Sequence, residues 1–176
     1  SNYLHDAINE GDRVSLGPPC GEFTIDPAHA PTQPVVFIAG GIGVTPLLAM
    51  AKGLVAARTD VPMYFIQAAR NSSVHAMREE VRDLANASSS VVTHVVYDQP
   101  LPGDLESGKC DATGFVTREF LQETTPTIEA EYYFCGPKPF MACVELVLNE
   151  LGVDEGRRHC EFFGPKQSLH VQGVDV

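Results

Sequence analysis

Residues 35–46, Val-Val-Phe-Ile-Ala-Gly-Gly-Ile-Gly-Val-Thr-Pro, constrain the fold more than any other stretch of this 176-residue chain. Residues 35–39 are apolar at every position, so both faces of the segment need cover, as in a strand inside a parallel sheet. Gly40, Gly41 and Gly43 allow backbone angles and close approaches that a Cβ would block. Pro46 suits the first turn of a helix, where its missing N–H is not needed. Thr45 is expected to cap that helix with its hydroxyl. The segment therefore reads as a strand, a glycine turn and a helix start. Unpaired N–H groups and the positive end of the helix face the turn, and a pyrophosphate fits there. The spacing is Gly-x-Gly-x-x-Pro and not the dinucleotide fingerprint Gly-x-Gly-x-x-Gly. From this stretch alone, an ordinary strand–helix turn is the competing reading.

Composition narrows the partners. The hydrophobic content of 44% is that of a globular chain, and the net charge is −11. That charge argues against nucleic acid and anionic membrane surfaces. An anionic ligand must then be held by local N–H groups and a few placed cations. No apolar run approaches the roughly 20 residues of a membrane span, and no secretory signal opens the sequence. Cys20, Cys110, Cys135, Cys143 and Cys160 are odd in number and contain no Cys-x-x-Cys. This argues against a four-thiolate zinc or iron–sulfur site and favours reduced thiols in a cytoplasmic protein. His5, His29, His75, His94, His159 and His170 show no metal-ligand spacing, so no metal site is expected. The chain starts at Ser1 without an initiator Met, inside what reads as a structural element, as an excised part of a longer protein would.

Along the chain the character changes once. Residues 3–8 are a short amphipathic stretch. Residues 13–16 and 22–25 read as short strands, and residues 26–34 as a proline-rich linker. From residue 35 strands and helices alternate. Strands are expected at 35–39, 63–68, 91–97, 131–135 and 159–163. Helices are expected at 45–58, 71–87 and 139–151, each with apolar residues at helical spacing on one side, and a short one at 115–122. This alternation predicts an α/β fold, a five-stranded parallel sheet with helices on both faces. Ligands in such sheets bind beyond the carboxyl ends of the strands. Three of those ends carry unusual chemistry: residues 40–45, Cys135-Gly136-Pro137, and Phe162-Phe163-Gly164-Pro165.

Those three motifs, Gly40-Gly41-Ile42-Gly43-Val44-Thr45-Pro46, Phe134-Cys135-Gly136-Pro137 with Phe140-Met141 behind it, and Glu161-Phe162-Phe163-Gly164-Pro165, resemble the pyridine-nucleotide domain of the ferredoxin–NADP reductase superfamily. The terminal motif narrows the resemblance to the flavohaemoglobins, nitric oxide dioxygenases. Residues 1–6, 17–23 and 71–76 resemble that family as well, so the likeness covers nearly the whole chain in order. It implies three parts: residues 1–30 as the incomplete C-terminal end of an FAD-binding barrel, 31–166 as the NAD(P)-binding domain, and 167–176 as a tail. The family's N-terminal globin, most of its FAD barrel and its Arg-x-Tyr-Ser flavin motif are absent from this sequence, and Ser1 matches only the last position of the FAD-pyrophosphate motif.

The resemblance implies roles for particular residues. Gly41, Ile42, Gly43, Val44, Thr45 and Pro46 would hold the NAD(P)H pyrophosphate. Cys135, with Gly136 and Pro137, would lie near the reacting nicotinamide carbon, serving packing and polarity more than nucleophilic attack. Glu161 would stand near the flavin, tuning it or relaying a proton. Phe162 and Phe163, with Gly164 and Pro165, would cover the isoalloxazine ring or line the nicotinamide entry, and one of the two rings is expected in the core because successive strand residues face opposite ways. Arg70, after the second strand, is placed to meet a 2′-phosphate, and the choice between NADH and NADPH stays open, with the resemblance leaning to NADH. The function implied is hydride transfer from NAD(P)H to FAD, then electrons on to haem in a globin domain of the parent chain, where nitric oxide becomes nitrate. A flavin reductase serving an oxygenase or other acceptor is one alternative. A non-catalytic dinucleotide-binding module is another.

Overall fold

The computed structural model describes residues 2–18, 20–125 and 129–163. After a helix α1 (Asn2–Ala7) the chain runs without regular structure to a short 3-10 turn at Pro27–His29. Then come β1 (Val35–Gly40), α2 (Val44–Ala56), β2 (Met63–Ala69), α3 (Arg78–Ala87), β3 (Val91–Tyr97), β4 (Ala112–Thr113), α4 (Arg118–Thr124), β5 (Glu131–Cys135), α5 (Lys138–Glu150) and β6 (Arg158–Glu161). The strands form one parallel sheet in the order β4-β3-β2-β1-β5-β6. The chain leaves β1 in one direction and returns from β3 and β4 to the other side of β1. The switch in strand order therefore lies between β1 and β5.

Alternation along β1 divides the core. Val35, Phe37 and Ala39 pack with α2 and α3 on one face. Val36 and Ile38 pack with α4 and α5 on the other. Each β1 side chain is fully or almost fully buried, which is why the sequence shows a continuous apolar run there and no polar alternation. α2 presents Leu47, Leu48, Ala51 and Leu54 to the sheet, and α5 presents Met141, Val144 and Leu148.

The sheet has six strands, not five. The extra one, β4, is two residues long, and nothing so short leaves a periodic trace in sequence. Residues 13–16 and 22–25 form no strands. Their alternation has no neighbouring strand among the described residues to pair with, and backbone donors need a partner to make a ladder. Phe23 and Ile25 instead lie against the core, with the Phe23 ring 6.0 Å from that of Tyr133. The stretch expected as one helix at 71–87 is split. Asn71 accepts from the Ser73 N–H and turns the chain into a 3-10 segment, and Met77 sits in the left-handed region (φ 53°) before α3 begins. Val74 and Met77 consequently leave the apolar stripe and are exposed.

β6 is fastened by two of its side chains, Arg158 and His159. Arg158 donates to Glu145 at 2.9 Å and to the Val153 carbonyl at 3.0 Å, and also to Asn149 on α5. His159 stacks on Tyr133, centroids 4.4 Å apart, and bonds Glu131 at 2.8 Å. These contacts fix the position of Glu161 at the strand's end, level with Cys135 on β5.

Candidate functional site

The glycine turn is built differently from its sequence-level reading. Gly41–Gly43 form a 3-10 turn, and α2 starts directly on Val44 with Gly43 as its N-cap. Thr45 is therefore already helical. Its hydroxyl donates back to the Ile42 carbonyl at 3.0 Å and caps no N–H. Pro46 falls in the first turn, as its chemistry requires.

The three glycine positions also do separate jobs. A Cβ on Gly43 would come within 2.1 Å of the Cys135 carbonyl oxygen, so this residue lets the turn lie against the end of β5. A Cβ on Gly40 or Gly136 would strike the Phe140 ring at 2.6 or 2.5 Å. The glycine turn, the Cys135-Gly136-Pro137 turn and the first turn of α5 thus close on one aromatic ring. Gly41 alone faces open space, with φ at 53°.

Beside Gly41 opens a cavity of about 650 Å³, within the size range of small-molecule sites. It lies at the carboxyl ends of β1, β2, β3 and β5, walled by Gly40, Ala68, Ala69, Val116, Phe140 and Val144, with Arg70, Val74, Asp98, Phe115, Pro137 and Cys143 also exposed to it. Strand ends at a switch in strand order are where open α/β sheets bind ligands.

Of the residues singled out in the sequence, Gly41, Arg70 and Pro137 line this cavity. Ile42 is 59% exposed on the turn, while Gly43 and Val44 are buried and Thr45 and Pro46 half-buried. Cys135 is buried in the cluster under α2, and burial, with Glu161 and Cys160 nearby, pushes its thiol up to about 11. It is a protonated packing group at neutral pH. Glu161 is exposed. Phe162 packs on the α4–α5 side of the core while Phe163 is 55% exposed, opposite fates for neighbouring residues. Ser1, Gly164 and Pro165 lie outside the described residues.

Asp98 and Phe115 were missed in the sequence, whereas Phe140 belongs to the motif behind Cys135-Gly136-Pro137. Asp98 stands one residue past β3, so the strand-end rule would have found it. Phe115 follows the two-residue β4, which left no signal. One buried carboxylate holds this side of the cavity together. Asp104, 1% exposed, accepts from Ser72 Oγ (2.7 Å), Ser72 N–H (3.2 Å), Leu101 N–H (3.0 Å) and Lys109 Nζ (3.3 Å). Burial pushes its pKa up, but those hydrogen bonds outweigh it and hold the carboxyl down at about 2. Close by, His75 bonds the Tyr97 hydroxyl through Nδ1 at 2.8 Å, and burial, aided by Arg78, pushes its imidazole down to about 4.

The model of the family "Oxidoreductase NAD-binding domain" matches residues 37–146. A Rhodopirellula baltica protein named Flavohemoprotein is 61% identical over 96% of this chain and 41% of its own length. A Flavohemoprotein of Bacillus thuringiensis subsp. konkukian is 44% identical over 96% of this chain and 42% of its own. Among solved structures, the flavohem-like FAD/NAD binding domain of nitric oxide dioxygenase from Vibrio cholerae O1 biovar El Tor superposes with a TM-score of 0.75. It is 32% identical, covering 94% of this chain and 64% of that one. The chain spans about two fifths of the length of these two curated relatives.

Proposed function

This chain belongs to the oxidoreductase NAD-binding domain family, and from that premise we propose that it is the NAD(P)H-binding reductase part of a flavohaemoglobin. The observation that carries the reading is the cavity beside Gly41, at the strand ends where the sheet reverses its order. Its volume, its apolar walls and the open space over Gly41 suit a dinucleotide.

NAD(P)H, FAD and haem, when bound, supply the hydride and one-electron chemistry, and the protein supplies position and polarity. Residues 41–46 are assigned to the pyrophosphate, with Gly41 leaving room for it and the start of α2 supplying a positive end. Pro137 and Phe140 bound the cavity toward β5. Cys135, kept protonated, is assigned to shaping the wall under the nicotinamide and not to attack. Glu161, held at the sheet's edge by the Arg158 clamp, is assigned to holding or relaying a proton beside the flavin. Phe162, Phe163, Gly164 and Pro165 are assigned to the flavin side, with Ser1 at its pyrophosphate.

The proposed division is 1–30 as the end of the FAD barrel, 31–166 as the NAD(P) domain and 167–176 as the tail. Tyr3, Leu4, Val14 and Leu16 are all exposed, which supports a covering domain there. The proposed acceptor is a globin domain of the parent chain, and the proposed overall reaction is nitric oxide and dioxygen to nitrate. Among the described residues no helix is long and apolar enough to cross a membrane, and the proposed location is the cytoplasm.

An absorption spectrum of the full-length parent protein tests this. A haem Soret band with flavin bands, the flavin bleached anaerobically by NAD(P)H, is the expected result. Flavin bands alone would reassign the chain to a reductase with a separate acceptor. No flavin band after added FAD would overturn the reductase reading.

A further inference from the structure

On its β5 side the cavity reaches the first turn of α5, where Pro137, Phe140 and Val144 line it. Gly40 is the last residue of β1 and Gly136 follows β5, whose ladder runs as far as Ala39 and Cys135. The two glycines are therefore neighbours, one step beyond the last paired residues. Phe140 lies against both. Its ring would meet a Cβ on Gly40 at 2.6 Å and one on Gly136 at 2.5 Å, and the Gly136 Cβ would also come within 3.0 Å of the Gly40 Cα. Gly40 has extended angles, φ −104° and ψ 111°, which any residue adopts. What this position needs from glycine is room for the ring.

The ring itself is held firmly. Phe140 stands in the first turn of α5, behind Pro137 at the N-cap and Pro139 beside it, and each proline fixes its own φ. The Met141 N–H donates to the Pro137 carbonyl at 3.0 Å and closes the turn. Met141 and Val144 are fully buried, and Phe140 packs against the same α4–α5 side of the core. A close-packed core does not yield smoothly, so the ring cannot shift without moving one of the two glycine turns.

We infer that Phe140 is a positioning residue for hydride transfer, an inference that rests on the reductase reading above. Gly40 precedes Gly41, where the pyrophosphate is assigned. Gly136 separates Cys135 from Pro137, where the nicotinamide is assigned. The ring sets the gap between these turns, and so decides where the nicotinamide rests once the pyrophosphate is seated. It does so by bulk and contributes no reactive group. Misplacing reacting atoms by about 1 Å costs on the order of 100-fold in rate. Contacts to the pyrophosphate and adenosine are made elsewhere in the cavity, so affinity does not depend on the ring.

The test is anaerobic stopped-flow reduction of the flavin by NADH in the full-length parent protein, with ADP-ribose titrations and thermal melts of the same variants. Phe140→Ala should lower the limiting rate at least about tenfold and leave NADH half-saturation within about threefold. ADP-ribose, which lacks the nicotinamide, should bind within about twofold of wild type. Phe140→Met, which fills most of the same space, should keep the rate within about threefold. Gly40→Ala should lower both Tm and rate by displacing the ring. In the Gly40→Ala, Phe140→Ala double variant the clash is gone, so Tm should exceed the sum of the two single losses, while the rate stays low. A rate that recovers with Tm in the double variant would reduce Phe140 to packing and overturn the inference. So would a Phe140→Ala rate within about twofold of wild type, and in either case the reductase reading stands. Should Phe140→Ala fail to fold, Phe140→Leu takes its place under the same limits. A wild-type flavin that NADH does not reduce overturns both.

Discussion

The glycines of the 40–43 turn show how one residue type carries different loads. Gly43 is required by a backbone contact, because its missing Cβ would overlap the Cys135 carbonyl. Gly41 is required by its backbone angle and borders the cavity. Substitution should separate the two. Gly43→Ala has to push apart the start of α2 and the end of β5, so it should cost several °C in Tm and lower nucleotide affinity as a consequence. Gly41→Val places its Cβ in open space and costs at least about 1–2 kcal/mol for the left-handed angle, which β-branched residues rarely adopt. It should retain a cooperative melt but weaken NADH binding at least tenfold by filling the cavity. Paired thermal melts and NADH titrations check this. Equal affinity in wild type and Gly41→Val would detach the turn from nucleotide binding. The distinction was not legible in the sequence, where all three glycines look like phosphate-turn residues. The partner of Gly43 lies more than ninety positions downstream.

At the scale of elements, α2 and α5 end on the same hydrogen-bonded turn with different residues at its critical place. After α5, the Gly152 N–H bonds the Asn149 carbonyl and the Val153 N–H bonds that of Leu148, with Gly152 left-handed at φ 74°. After α2, the Arg58 N–H bonds Val55 and the Thr59 N–H bonds Leu54, with Arg58 left-handed at φ 55°. Both are Schellman turns, and glycine suits the left-handed position because it has no Cβ to clash. Arg58→Gly should stabilise the protein by roughly 0.5–1 kcal/mol, the relief of the left-handed angle less the extra freedom of the unfolded chain. That corresponds to about 1–4 °C in Tm. Gly152→Ala should move it the other way. Calorimetry of the two variants decides it, and a lower Tm in Arg58→Gly would mean that the arginine side chain contributes more than its backbone angle costs. The α5 stop was legible from Gly152. The α2 stop was placed within two residues because Arg58 ends the apolar stripe, but nothing in an arginine announces a left-handed turn.

For the whole molecule, His75 and Asp104 contribute to the response to acid, together with His94, whose imidazole is also pushed down by burial. His75 is neutral in the fold, its pKa lowered from 6.5 to about 4 chiefly by burial. The unfolded chain therefore binds a proton there before the folded one does, and stability falls as pH drops from 6.5 towards 4. Asp104 has a folded pKa of about 2 against 3.8, so its contribution is complete above about 4 and is lost as pH falls on to 2. Urea midpoints measured across this range should decline in two stages. His75→Gln should shrink the first stage, leaving the part that His94 contributes, and Asp104→Asn should shrink the second. A midpoint constant from pH 6.5 to 4 would contradict the buried, neutral imidazole. Local pattern was enough to determine the α/β class, the parallel sheet, the buried β1 run, the positions of α2, β2, β3, β5 and α5 to within a residue or two, and the glycine turn at a strand end. Those features repeat at periods of two and 3.6 residues or sit in contiguous motifs. Tertiary structure alone decided the rest: the two-residue β4, the split before α3, the burial of Asp104, and the meeting of Arg70, Asp98, Phe115 and Phe140 around one cavity. Each depends on contacts between residues far apart in the chain, which leave no periodic mark in the sequence, and residues 13–16 show the converse, a strand-like alternation that forms no strand because no partner strand lies beside it among the described residues.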